Sequence, residues 1–143
     1  MQRTVSNNFK MGEYKVNLSF RDLTVYKKAF ELAMEIFEIS KTFPREETYS
    51  LTDQIRRSSR SVCTCISEAY RKRKYQACFV SKSSDADMEN SETQVWLDFS
   101  YKCGYINKAD YIPLMKKSEE VGKMLNHMIE FPEKYLRKDE KKG

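Results

Sequence analysis

Only four glycines and three prolines interrupt this chain of 143 residues, far fewer turn residues than a protein built from sheets needs. Histidine is scarcer still. A ferritin-like di-metal site takes a Glu-x-x-His pair from each of two helices, and a single histidine, His127, cannot supply them. No run of eighteen apolar residues occurs, so no segment is expected to span a bilayer. The opening MQRTVSNNFKMGEYKVNLSF lacks the apolar centre of a signal peptide, and a cytoplasmic location is expected. A Gly-rich phosphate loop is also missing. The four cysteines, Cys63, Cys65, Cys78 and Cys103, have no paired zinc spacing. On one helix Cys63 and Cys65 point to nearly opposite sides, which disfavours a shared metal or a mutual disulfide. Small buried thiols in a reducing compartment are the expectation. His127 lies among Lys and Met residues with nothing to bring it to a cysteine, so no nucleophilic centre is expected. The chain reads as no enzyme, with no metal and no cofactor.

What remains is a helix-rich composition, 40% hydrophobic and 33% charged. It predicts one all-α domain over residues 20–135, between a poorly ordered arm at 1–19 and a charged tail at 136–143. The first helix opens at Asp22, read as its N-cap, and runs through LTVYKKAFELAMEIFEISK. Its apolar face is two stripes wide: Tyr26, Phe30, Ala33 and Phe37 beside Val25, Ala29, Leu32 and Ile36. That is broader than one packing neighbour needs and hints at contacts beyond a single bundle. The second helix carries a possible capping box, Ser50 with Asp53, and the periodic set Leu51, Ile55, Val62, Ile66 and Ala69. A third, from about Ala77 to Cys103, has Ala77, Ser84, Met88, Ser91, Val95 and Phe99 on the side read as its core face. Gly104 stops it. Asn107 and Asp110 then begin a fourth, with Val121, Met124, Leu125 and Met128 inside and Pro132 at its end. Four amphipathic helices on short connections are most simply packed as an antiparallel up-and-down bundle.

Charge is distributed unevenly along these helices. The stretch IRRSSRSVCTCISEAYRKRKY, residues 55–75, holds seven Lys/Arg and one carboxylate. Arg56, Arg57, Arg60, Arg71 and Lys74 gather on an arc of roughly 100° away from the apolar stripe, and Arg71, Lys72, Arg73 and Lys74 form a dense knot flanked by Tyr70 and Tyr75. Such a face suits phosphates, in a chain of net charge +5. Against this, the third helix has Asp85, Asp87, Glu89, Glu92 and Asp98 with no Lys or Arg between residues 83 and 101. Asp85, Glu89 and Glu92 share a face and are candidate ion-pair or interface partners for the arginines. Two functions therefore stand open: binding of RNA or DNA with low sequence specificity through Arg56, Arg57, Arg60, Arg71, Lys72, Arg73 and Lys74, or a protein-interaction scaffold with no nucleic-acid role.

The segments FRDLTVYKKAFELAMEIFEISKTFP, YSLTDQIRRSSRSVCTCISEAY, SETQVWLDFSYKCGYI and SEEVGKMLNHMI together resemble the bacterial four-helix-bundle proteins named after 23S rRNA intervening sequences. The resemblance spans about residues 20–135. It implies a ring-like homo-oligomer, commonly a pentamer. More distantly the chain is similar to the accessory variability proteins of diversity-generating retroelements, which implies a basic surface for nucleic acid. Relatives carry an Ala-Asn-Ile-Ala-Glu-Gly-type stretch in the second helix, where this chain has Thr64, Cys65, Ile66, Ser67, Glu68 and Ala69. Ile66 and Glu68 fit, while Cys65 and Ala69 depart.

Overall fold

Four helices carry the fold: α1 (Thr24–Ile39), α2 (Leu51–Arg71), α3 (Gln76–Lys102) and α4 (Lys108–Glu130). The structure, a computed structural model, describes residues 6–11, 14–15 and 19–136. Ahead of the helices β1 (Ser6–Met11) and β2 (Tyr14–Lys15) pair antiparallel, with Lys10 opposite Lys15. The rest of the expected N-terminal arm, and most of the charged tail, lie outside the described residues.

The helix starts differ in detail from their sequence signatures. Asp22 does not cap α1. It closes a short 3₁₀ turn, Phe20–Asp22, where the Ser19 hydroxyl accepts from the Arg21 N–H and the Asp22 carboxylate accepts from the Ser19 N–H. That capping box fixes the chain just before α1, and α1 itself starts after Leu23 with no side-chain cap. Ser50 precedes α2 as expected, yet its side chain makes no cap bond. Glu47 accepts from the Leu51 N–H instead, at 3.2 Å, and a carboxylate suits a helix N-terminus better than a hydroxyl. Gly104 ends α3 with φ of +80°, a conformation that any side chain would strain. Asn107 then caps α4 by accepting from the Asp110 N–H at 2.9 Å.

Each helix packs against its neighbours in the chain, and α4 also packs on α1. Along α2 and α3 the contacts run in opposite order, with Glu68 meeting Lys82 while Arg57 meets Glu89. Likewise Phe79 of α3 stacks on Tyr135 beyond α4, and Tyr101 stacks on Tyr111 at its start. The core divides into two apolar clusters. One holds Val25, Ala29, Val62, Ile66, Phe79 and Leu125; the other holds Leu32, Ile36, Ile55, Leu97, Ile106 and Leu114. Residues such as Ile36, Ile55 and Ile66 are wholly inaccessible, each contributing about 1.5–3 kcal/mol by burial.

A buried polar layer separates the clusters. In α2, α3 and α4 it occupies the level midway along the bundle: Ser58 bonds Thr93 at 2.8 Å, and the Asn90 amide donates to the Ser118 carbonyl while its oxygen accepts from the Ser118 hydroxyl, both at 2.9 Å. Gln94 adds a bond to the Ser118 hydroxyl at 3.0 Å. Gly122 belongs to this arrangement, because a Cβ there would stand 3.3 Å from the Asn90 amide nitrogen. The layer resists sliding of α3 along its neighbours, since a slip sets Asn90 or Thr93 against apolar side chains.

The face of α3 read from sequence as its core points outward. Ala77, Ser84, Met88, Ser91, Val95 and Phe99 are all exposed, whereas Phe79, Ser83, Ala86, Asn90, Thr93, Leu97 and Ser100 are buried. The inner face is small and polar because it meets α2 and α4 closely through the polar layer, so apolar periodicity marks the wrong side. The core set of α2 is buried throughout, as expected. The cysteines also depart from the expectation of buried thiols: Cys63 is buried and Cys65 half-buried, but Cys78 and Cys103 are exposed. Burial pushes the Cys63 thiol up to about 12. With a thiol-reactive chromogen near neutral pH, Cys78 and Cys103 are expected to react fast, Cys65 more slowly, and Cys63 only on unfolding, in a time course that separates these phases.

Candidate nucleic-acid interface

Residues 56–60 lie in the first half of α2, facing α1 on one side and α3 on the other, whereas residues 71–74 form its C-terminal end and the turn into α3. Position in the bundle gives these basic residues different partners.

Arg56 turns toward α1. Its Nε donates to the Ser40 hydroxyl at 2.7 Å and its guanidinium lies 4.8 Å from the Phe37 ring centre. Arg60 lies over the same ring at 5.6 Å. Arg57 turns toward α3, where it reaches Glu89 at 3.3 Å and also pairs with Glu92, while Gln54 accepts from its Nε. These two carboxylates, Glu92 first, hold the guanidinium further toward its charged form than an isolated arginine. The Trp96 indole N–H donates to Glu92 at 3.2 Å, which fixes that carboxylate for Arg57. Of the acidic trio, then, Glu89 and Glu92 take an arginine. Asp85 does not; it lies beside the Lys82–Glu68 pair and acts on the Lys82 charge.

The knot is built differently. Arg71 is the last residue of α2, and the connection Lys72–Tyr75 is closed by the Tyr75 N–H bonding the Lys72 carbonyl at 2.9 Å. Arg73 folds back on Tyr70, its Nε donating to the Tyr70 carbonyl at 2.9 Å and its guanidinium 3.7 Å from the ring centre. Arg71, Lys72 and Lys74 project into solvent, as does Tyr75. Among the described residues none of the four basic side chains of the knot is in an ion pair. Four adjacent positive charges at the C-terminal end of a helix complement its dipole and attract anions.

Other polar constellations have structural partners. Lys117 of α4 bridges Glu31 and Glu35 of α1, Glu47 accepts from the Tyr105 hydroxyl at 2.8 Å, and Asp98 accepts from the Tyr111 hydroxyl at 2.7 Å. Sequence reasoning passed over these and the Asn90–Ser118 pair. The signal available was phase: Ser58, Asn90 and Ser118 recur in step with their helices' buried residues. Among the described residues no three His, Cys, Asp or Glu side chains converge as a metal site. Among the described residues no helix is long and apolar enough to cross a membrane.

Residues 21–127 match the family model described as the 23S rRNA-intervening sequence protein. Among solved structures, the chain is similar to a protein with unknown function from the S23 ribosomal protein family of Bacteroides thetaiotaomicron. Identity is 30%, the TM-score is 0.68, and the match covers 74% of this chain and 95% of that one. Comparison with curated proteins gives no match.

Proposed function

The chain belongs to the 23S rRNA-intervening sequence protein family, and from that membership and the charge distribution we propose a non-enzymatic, cytoplasmic bundle protein that holds RNA or DNA by its phosphates. The helices take the antiparallel up-and-down course that the order of their contacts supports, and the bundle works as a ring-like homo-oligomer, a pentamer by family resemblance. Binding is by charge with little sequence preference, through Arg71, Lys72, Arg73 and Lys74. The observation that carries this reading is that, among the described residues, the knot has no acidic partner, in contrast to Arg57. Tyr75, 55% exposed beside the knot, offers a ring on which an unpaired base can stack. Repetition of the knot around an oligomer multiplies a weak single contact.

A second reading, an interaction scaffold without nucleic acid, draws support from the arginines of mid-α2. Arg56, Arg57 and Arg60 are engaged with Ser40, Phe37, Glu89 and Glu92 rather than displayed as a continuous basic band. Fluorescence anisotropy with structured RNA and duplex DNA over a salt series separates the two. Phosphate binding predicts affinity that falls steeply with salt, and a log–log slope shallower by about 3.6 for duplex DNA when residues 71–74 are all changed to Gln. Absence of binding even at low salt rejects the nucleic-acid reading in favour of the scaffold.

A further inference from the structure

Two rows of large apolar side chains remain uncovered among the described residues of the bundle, one on α3 and one on α1. On α3, Met88, Val95 and Phe99 are 61%, 46% and 52% exposed along one line of the helix. On α1, Phe30 and Met34 are 49% and 45% exposed. Neither row is the scattered apolar residue ordinary on surfaces; each continues along its helix.

Their borders differ in charge. The α3 row runs beside Asp85 and Asp98, and beside Glu92, which already holds Arg57 of α2, in a stretch with no lysine or arginine of its own. The α1 row runs toward Phe37, over which Arg56 and Arg60 lie with no carboxylate in ion-pair reach among the described residues. The carboxylates on the other flank of α1 already hold Lys117 and Lys41. Packing α3 on α3 of a second copy brings acidic borders together, whereas packing α3 on α1 sets acids against unpaired arginines around two apolar rows.

We infer that the outer row of α3 docks on the α1 row of a second copy of this chain, with Arg56 and Arg60 of one copy facing the α3 carboxylates of the next. This rests on the oligomer reading above and assigns its surfaces. The interface is heterologous: each copy uses one face to bind forward and the other to bind backward, as ring closure requires.

Heterologous contact makes a specific prediction for mixing. Met88→Glu/Val95→Glu disables only the α3 face, and Phe30→Glu/Met34→Glu disables only the α1 face; all four residues are exposed, and unchanged circular dichroism and urea midpoint check the fold. By light scattering on size-exclusion chromatography, the wild type is expected to be oligomeric and each double variant a monomer of 17.0 kDa. An equimolar mixture is expected to yield a heterodimer of twice that mass, through the one intact face left on each. An oligomeric wild type whose variants still assemble, or whose mixture stays monomeric, overturns this assignment and leaves the oligomer reading standing. A wild type that is monomeric throughout removes both.

Discussion

Phe79→Ala is expected to lower stability by about 3–5 kcal/mol, a large fraction of what a domain of this size has. Phe79 is 1% exposed, sits in the apolar cluster nearer the knot, and stacks on Tyr135 with ring centres 5.8 Å apart. Truncation removes both the transfer free energy of the ring and the contact that ties the segment after α4 to α3. Ile66, Ala86 and Leu125 belong to the same cluster and lose packing with it. At roughly 3 °C per kcal/mol for a chain near this length, Tm falls by about 10–15 °C. Urea unfolding at fixed protein concentration checks it, with a lower midpoint and an unchanged slope.

Asn90→Leu is the second large effect, about 2 kcal/mol, and its origin is polar rather than apolar. The Asn90 amide and Ser118 exchange two hydrogen bonds inside the bundle. Leucine removes both and strips the Ser118 hydroxyl of an acceptor in a place water does not reach. Its branched end also presses on the space that Gly122 leaves open. Ser118→Ala alone keeps the bond to its carbonyl but orphans the Asn90 side-chain oxygen and the Gln94 amide that donates to the hydroxyl. The double variant Asn90→Leu/Ser118→Ala is expected to cost less than the sum of the single changes by about 1 kcal/mol, because it leaves no unpaired group of that bond. Urea midpoints for the four proteins give the coupling directly.

Legibility in the sequence followed how much each helix depends on its own pattern. The core of α2 was readable because Leu51, Ile55, Val62, Ile66 and Ala69 alternate at helical spacing with polar residues, and all of them are buried. For α3 the same rule selected the outer row. Its inner face mixes Phe79, Ala86 and Leu97 with Ser83, Asn90, Thr93 and Ser100, and the burial of these four polar residues is invisible to apolar periodicity. The two-stripe width of the apolar face on α1 was legible, and among the described residues Phe30 and Met34 on that side stay about half exposed. At the candidate site, opposite charge on the second and third helices foretold pairing in general. Which arginine meets which carboxylate depends on register, and the polar layer sets register: Ser58 joined to Thr93 places the adjacent Arg57 opposite Glu89 and Glu92.

Under the proposed function, polyanion binding belongs to the knot and not to positive charge in general. It is tested by comparing two variants that each lose two charges. Arg71→Gln/Lys72→Gln removes unpaired charges of the knot; Lys28→Gln/Lys41→Gln removes lysines that pair with Glu120 and Glu38. Salt-dependent anisotropy with one duplex is predicted to show a slope shallower by about 2 for the first, and little change for the second. Equal loss in both variants, or no binding by the wild type, contradicts the claim.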